Sequence, residues 1–214
     1  MEKTAMKVNV KDLNKSVAAF LSSEQTQNKS QGRYRSWNIK YEDFSLYKDI
    51  DYLARSLTIY LASWGMMRGS SKLLTDYNYT IHQKGVEIII IYLDGLRDFP
   101  KEKTEVSTYV EQVLLAKQEI ESYYNNEKGV STTDTLLTKI LLGVSAATPA
   151  YDQYFKKFLQ ENRLTQKLGK KSLIEVWNLW FEVKDFLDNR DYPPMKIIHM
   201  AGFEFEKNGI KNDE

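Results

Sequence analysis

The chain has 214 residues, with 30 Lys and Arg against 29 Asp and Glu, two His and no Cys. The lack of cysteine excludes disulfides, thiolate-ligated zinc, iron–sulfur clusters and a cysteine nucleophile. A hydrophobic fraction of 42% and a charged fraction of 28% are typical of a folded globular protein and not of a disordered chain. The length predicts one domain over residues 1–214, with residues 1–8 and 208–214 as frayed termini.

No segment has the composition of a membrane span or a secretion signal. The longest unbroken apolar run, Ile88 to Leu93, is far shorter than the roughly 20 residues of a transmembrane helix. The apolar part of the stretch from Ser16 to Ser23 is also shorter than the roughly 7–15 residues of a signal core. We therefore predict a cytoplasmic protein with no membrane partner.

Apolar residues recur with helical spacing in nearly every long segment, which predicts an all-α fold: one compact domain of about nine or ten helices. The second predicted helix begins at Ser36, which has the side chain of an N-cap. The predicted helices are residues 10–21, 36–44, 51–67, 72–76, 79–98, 104–124, 133–142, 152–162, 172–188 and 194–207.

One segment allows two secondary structures, and another predicts a loop. The run Ile88 to Ile91 could form a buried strand, but the surrounding apolar residues keep a helical period and no turn residues bound a short strand. We therefore predict a helix that ends before Pro100. The stretch from Asn125 to Gly129 is the clearest predicted loop.

The motif search excludes several common sites. The chain has no phosphate-binding P-loop, no G-x-G-x-x-G turn, no H-E-x-x-H pair and no Glu-x-x-His pair of a di-iron bundle. We predict neither a metal nor a cofactor. His82 and His199 lack a nearby G-x-S-x-G serine, so packing or capping is their simpler role.

Charge is balanced over the whole chain but not locally. Residues 156–171 carry six basic side chains against one acid, and residues 29–40 carry four against none, interleaved with Tyr34 and Trp37. Basic and aromatic side chains together are able to hold a nucleic-acid backbone and its bases. The alternative is a solvated helix face. The basic residues proposed as phosphate contacts are Lys156, Lys157, Lys170 and Lys171.

The segment from Trp64 to Lys72 predicts an anion site. Glycine ends a helix there, and Arg68 is followed by serines that can begin another helix. Free backbone N–H groups would then lie beside two basic side chains. The alternative is a tight helix–helix corner with Trp64 and Met66 in the core. The predicted anion-binding residues are Arg68, Ser70, Ser71 and Lys72.

The segment from Asp134 to Phe155 places Lys139 on an otherwise apolar helix and Asp152 at the start of the next one. The simple interpretation is that Asp152 caps its helix while Lys139 extends its amine to solvent. The other interpretation is a catalytic pair.

Three motifs together resemble a family of bacterial all-helical proteins. They are Trp64-Gly-Met-Met-Arg-Gly-Ser-Ser71, the Asp134–Phe155 stretch with its Pro-Ala-Tyr-Asp, and Tyr192-Pro-Pro-Met-Lys196. They cover about a fifth of the chain. This resemblance implies a grouping but no mechanism.

The second motif alone is also similar to helix-hairpin-helix DNA glycosylases of the oxoguanine type, in which a lysine on one helix is followed by a proline and an aspartate at the next. The resemblance implies that Lys139 attacks the sugar C1′ and that Asp152 assists. The sequence departs from this family at Gly143-Val-Ser145, where the hairpin normally has Gly-x-Gly. That departure weakens the expected anchoring of duplex DNA.

Three functional hypotheses follow. The first is a nucleic-acid-binding protein, glycosylase-like, in which Asp152 lies near Lys139 without a tight ion pair. The second is a non-enzymatic protein that uses Arg68 and aromatic residues to bind a protein partner. The third is a small-ligand pocket lined by Tyr60, Trp64 and Arg68. A net charge of only +1 disfavours strong non-specific DNA binding.

Overall fold

The computed structural model describes residues 9–25, 32–67, 73, 75–188 and 191–207. These residues form nine α-helices and no strand, which confirms the predicted all-α fold. The residues predicted as frayed termini lie outside the described ranges. The helices are α1 Val10–Gln25, α2 Gly32–Leu46, α3 Ile50–Ser63, α4 Ile81–Arg97, α5 Val106–Ser122, α6 Asp134–Ser145, α7 Gln153–Glu161, α8 Lys170–Val183 and α9 Pro194–Lys207.

The beginnings of α2 and α3 show what decides a helix end. The prediction of an N-cap at Ser36 is wrong, because α2 already starts at Gly32 and the Ser36 hydroxyl accepts a hydrogen bond from Ser63 at 2.9 Å. In α3, the carboxylate of Asp49 accepts the N–H of Tyr52 at 2.8 Å and caps the helix. A side-chain cap therefore fixes the start of α3.

Helix α3 ends at Ser63, before the predicted residue 67, and Gly65 follows with a φ of +74°. Glycine adopts this left-handed conformation at little cost, so it suits a helix end. The predicted helix over residues 72–76 falls partly outside the described residues. Leu73, Thr75 and Asp76 lie in turns.

Helix α4 contains Ile88–Ile91, so the choice of helix over strand is confirmed. The predicted loop at residues 125–129 is wrong for residues 125–127, because α5 continues into a π-helix over Tyr123–Glu127, but Lys128 and Gly129 lie outside any helix as predicted. Buried tyrosines hold that turn: Tyr123 donates to the carbonyl of Ile81 at 2.7 Å, and the Tyr124 hydroxyl lies 2.6 Å from Nδ1 of His82. Polar composition predicted a loop, but these tertiary contacts favour a helical turn.

Helix α6 lies in the centre of the protein. Every residue from Leu136 to Ser145 is buried, as expected for a helix with neighbours on all sides. Helices α2, α3, α4 and α5 pack against it, while α9 packs against α1 and α7. None of the described helices has the length and apolar character needed to cross a membrane.

Candidate functional site

The connection between α6 and α7 brings the two candidate catalytic residues together. Helix α6 ends at Ala146, which has a φ of +54°, and the chain then turns back toward the helix it has just left. Thr138 accepts the N–H of Tyr151 at 2.8 Å, and Thr135 donates to the Tyr151 carbonyl at 2.9 Å. Two hydrogen bonds to one residue therefore fix the backbone immediately before Asp152.

Lys139 and Asp152 form an ion pair, with 3.0 Å between Nζ and Oδ2. The side chain of Lys139 is 3% exposed and that of Asp152 is 12% exposed. The expectation that the two lie close without a tight ion pair is therefore wrong. A buried ammonium left without a counter-charge is strongly destabilising, and the nearby carboxylate supplies that charge. Burial also contradicts the alternative that Lys139 extends its amine to solvent.

The other oxygen of Asp152 has a structural role. Oδ1 accepts the N–H of Phe155 at 3.0 Å, which makes Asp152 the N-cap of α7, as the simple interpretation predicted. One carboxylate therefore both caps a helix and neutralises a lysine. The start of α7 fixes the position of the Asp152 carboxylate, so the Asp152 side chain has little freedom to leave the ion pair.

Aromatic side chains surround the lysine. The Nζ atom of Lys139 lies 4.1 Å from the ring centroid of Trp64 and 5.9 Å from that of Phe203, distances at which a cation is attracted to an aromatic face. These groups border an open pocket of about 430 Å³. Its lining residues are Trp64, Met66, Thr135, Lys139, Asp152, Gln153, Tyr154 and Phe203.

Helix α9 places two more basic groups near this pocket. His199 is 1% exposed, and neither of its ring nitrogens has a hydrogen-bond partner among the described residues. Burial, together with the charges of Lys139 and Lys196, lowers the pKa of His199 well below its usual value. Lys196 is itself buried, 4.3 Å from the Phe20 ring centroid. His199 is therefore neutral at physiological pH.

The predicted phosphate-binding lysines differ in their surroundings. Lys157 lies 3.6 Å from Glu161 and Lys171 lies 3.9 Å from Glu175. Lys170 pairs with Glu111 of α5. Lys156 is half-buried and makes no ion pair with a described residue. A phosphate at three of these four lysines would therefore compete with a carboxylate already present.

Position along the helices separates these lysines further. Lys156 and Lys157 each lie one helical turn beyond Asp152 and Gln153, two residues that border the pocket. Lys170 and Lys171 begin α8, whose neighbours include α5. None of the four lysines is among the described residues that line the pocket, and those of α7 lie one helical turn from two that are.

The structure describes only some of the remaining residues predicted to bind anions or nucleic acid. Arg68, Ser70, Ser71 and Lys72 lie outside the described residues, as does Lys29. Trp64 and Met66, which precede them, are partly buried and border the pocket. The interpretation of residues 29–40 as a basic and aromatic surface is wrong for Trp37 and Lys40, which are 3% and 1% exposed. Both lie on the face of α2 that packs inward.

Sequence reasoning missed Tyr154 and Phe203 as walls of the pocket and Lys196 as a buried cation. For Lys196 a signal existed, because this lysine stands among Met195, Ile197 and Ile198 at the start of α9. The sequence around Phe203 does not distinguish a residue that lines a pocket from an ordinary core residue. Only the packing of α9 against α7 brings it to Lys139.

No known protein family, curated protein or solved structure matches the chain. Within the described ranges, no group of three His, Asp or Glu side chains is arranged to hold a metal ion. The chemistry of the site therefore has to be argued from its own side chains.

Proposed function

We propose that this protein binds nucleic acid and removes a base from it, with Lys139 as the nucleophile and Asp152 as its helper. The observation that carries the proposal is that the Lys139 amine and the Asp152 carboxylate lie 3.0 Å apart at an open pocket with aromatic walls. The similarity of this segment to oxoguanine-type DNA glycosylases supports the same two roles.

The pocket has the properties that a flipped base requires. Its volume of about 430 Å³ is in the lower part of the range for small-molecule sites. Trp64, Tyr154 and Phe203 offer ring surfaces on which a base can stack. Lys156 and Lys157, one turn along α7, are placed to contact the phosphates next to that base.

The ion pair defines where the protons go. Transfer of one proton from the ammonium to Asp152 leaves a neutral amine, whose lone pair forms a bond to C1′. The bond between C1′ and the base breaks with its electrons on the base, which takes the proton from Asp152. Loss of a further proton and opening of the sugar ring then give an imine between Lys139 and C1′, with that proton on the ring oxygen.

Binding of a small ligand without chemistry is the second candidate function. It is favoured by the same tight ion pair, because a lysine that a carboxylate keeps protonated is a poor nucleophile. An experiment that detects the covalent imine therefore separates the two functions.

The test is trapping with borohydride, which reduces the imine to a stable amine. Wild-type protein is mixed with duplex and single-stranded DNA that carries oxidised, alkylated or deaminated bases. We expect a covalent adduct, and peptide mass spectrometry should place it on Lys139. Lys139→Gln should lose the adduct, while Asp152→Asn should slow its formation and leave DNA binding intact.

The matched control is Lys84→Gln, which alters an exposed lysine that pairs with Glu87 at 3.0 Å. It should form the adduct at the wild-type rate. The proposal is overturned if no adduct forms with any of these bases and wild type binds DNA no better than a Lys156→Ala/Lys157→Ala variant. Mapping the adduct on wild type keeps the test valid even if a variant folds poorly.

A further inference from the structure

A second cluster of reactive side chains lies between α2 and α3, away from the residues that border the Lys139 pocket. Lys40 of α2 is 1% exposed, and its Nζ lies 3.4 Å from Oδ2 of Asp43. The hydroxyl of Ser56 in α3 accepts from the Lys40 ammonium and donates to the same carboxylate oxygen. Tyr52 donates to the other oxygen of Asp43 at 3.0 Å. Serine, lysine and aspartate are therefore in mutual contact.

The cluster opens onto a pocket of about 330 Å³. Ser56 is half-buried and lines this pocket, so its oxygen is within reach of a ligand. The rim is apolar: Ile39 is 59% exposed and Ile59 is 68% exposed, although both are large aliphatic side chains. Arg55 also lines the pocket, and its guanidinium pairs with Asp51 at 2.8 Å.

This arrangement has the three parts of an activated nucleophile. Such a site needs a nucleophile within hydrogen-bond reach of a base, and the base in turn must be held by a third group. Here Ser56 is the hydroxyl, Lys40 is the amine it touches, and Asp43 holds that amine. We propose that Ser56 is an acyl-accepting nucleophile with Lys40 as its general base, and that the substrate is an ester with a small apolar acyl group.

The proposed reaction has two halves. The Ser56 oxygen bonds to the carbonyl carbon and gives its proton to neutral Lys40, then the bond to the alcohol breaks and the alkoxide takes that proton. In the second half water adds to the acyl-serine and gives a proton to Lys40, and the serine oxygen leaves and takes it. Acid and alcohol are released, and the protein returns to its starting state.

The protonation of Lys40 sets the expected pH dependence. Burial lowers the pKa of Lys40 to about 8, and the nearby Asp43 carboxylate opposes that shift. The other titratable or charged groups facing this pocket are Tyr52, Arg55 and Tyr60, all on α3. The base form of Lys40 therefore grows as the pH rises through about 8, and the reaction should accelerate over the same interval.

The test uses alkyl fluorophosphonate probes, in which the serine oxygen displaces fluoride from phosphorus and Lys40 takes the serine proton. Wild type should be labelled, with the label on Ser56 by peptide mass spectrometry and a rate that increases at least fivefold from pH 6.5 to 8.5. Ser56→Ala should lose the label. Hydrolysis of a p-nitrophenyl butyrate probe should follow the same pattern.

Two variants separate catalysis from structure. Lys40→Arg keeps the positive charge beside Asp43 but cannot act as a base near neutral pH, so labelling should fall at least tenfold in protein that circular dichroism shows to be folded. Ser63→Ala alters another half-buried serine of α3 and should label like wild type. The proposal is overturned if wild type takes no label at pH 8.5, if the label lies elsewhere, or if Lys40→Arg reacts at the wild-type rate.

Discussion

Gly143 and Tyr60 are in direct contact where α3 crosses α6. A Cβ atom on Gly143 would lie 2.4 Å from Cε1 of Tyr60, closer than any packed carbon pair. Tyr60 is fully buried, and its ring occupies the space that a side chain at residue 143 would need. Burial and the charge of Asp152 raise the pKa of Tyr60, so this ring lies within the electrostatic field of the candidate site.

Replacing Gly143 by alanine should destabilise the protein. The added methyl forces the Tyr60 ring or the two helices apart, an overpacking cost of about 1–3 kcal/mol that should outweigh the better helix propensity of alanine. Urea unfolding at pH 7 measures the change. Gly95→Ala is the matched control, because Gly95 is also inside a helix and its new Cβ would meet only the end of the Gln112 side chain at 3.3 Å. A Gly143→Ala protein as stable as Gly95→Ala would contradict the packing.

Removing the charge of Asp152 should cost more than removing an ordinary surface carboxylate. Asn caps a helix about as well as Asp, so Asp152→Asn isolates the loss of the ion pair, expected at roughly 3 kcal/mol for a buried lysine left unpaired. Adding Lys139→Met should restore part of that stability. Asp152→Ala, which also loses the cap, should cost about 1 kcal/mol more than Asp152→Asn. Chemical denaturation of the four proteins tests this order, and a fully stable Asp152→Asn would disprove it.

The buried histidines should make stability fall in mild acid. Burial lowers the pKa of His82 to about 4, and the pKa of His199 is also well below its usual value. Below about pH 6.5 the unfolded chain binds protons at both sites while the folded chain does not, so acid favours unfolding. From pH 7 to 5.5, each histidine should remove roughly 1 kcal/mol of stability.

The measurement is urea unfolding at both pH values for wild type, His82→Leu and His199→Leu. Each variant should lose less stability than wild type over this interval, whatever its stability at pH 7. A loss unchanged from wild type would mean that folding does not lower the pKa of the replaced histidine.

If the protein binds DNA, the lysines of α7 should contribute more than those of α8. Lys156 and Lys157 lie one turn from the pocket, whereas Lys170 is engaged by Glu111 of α5. The Lys156→Ala/Lys157→Ala protein should bind DNA more weakly. The slope of log affinity against log salt concentration should also become shallower, as expected for the loss of up to about two phosphate contacts. Lys170→Ala/Lys171→Ala should change both quantities less. Fluorescence anisotropy over a range of salt concentrations measures them, and the reverse order would place the DNA elsewhere.

Local sequence patterns predict the helices and several of their ends. Apolar spacing predicts α4 through the four isoleucines, and the side chains of Thr133 and Asp152 cap α6 and α7 near the residues where the helices were expected to begin. These features depend on residues within one or two turns of each other, so local order along the chain is enough to predict them.

Long-range packing determines which polar residues are buried together. Lys40 stands in a basic stretch, yet its position on the inner face of α2 places it against Asp43 and Ser56. Lys139 is placed between Asp152 and Trp64 only because α6 is enclosed by its neighbours. Burial turns these charges into close pairs, since a low-dielectric interior penalises any charge left alone, and burial depends on helices that are distant in the chain.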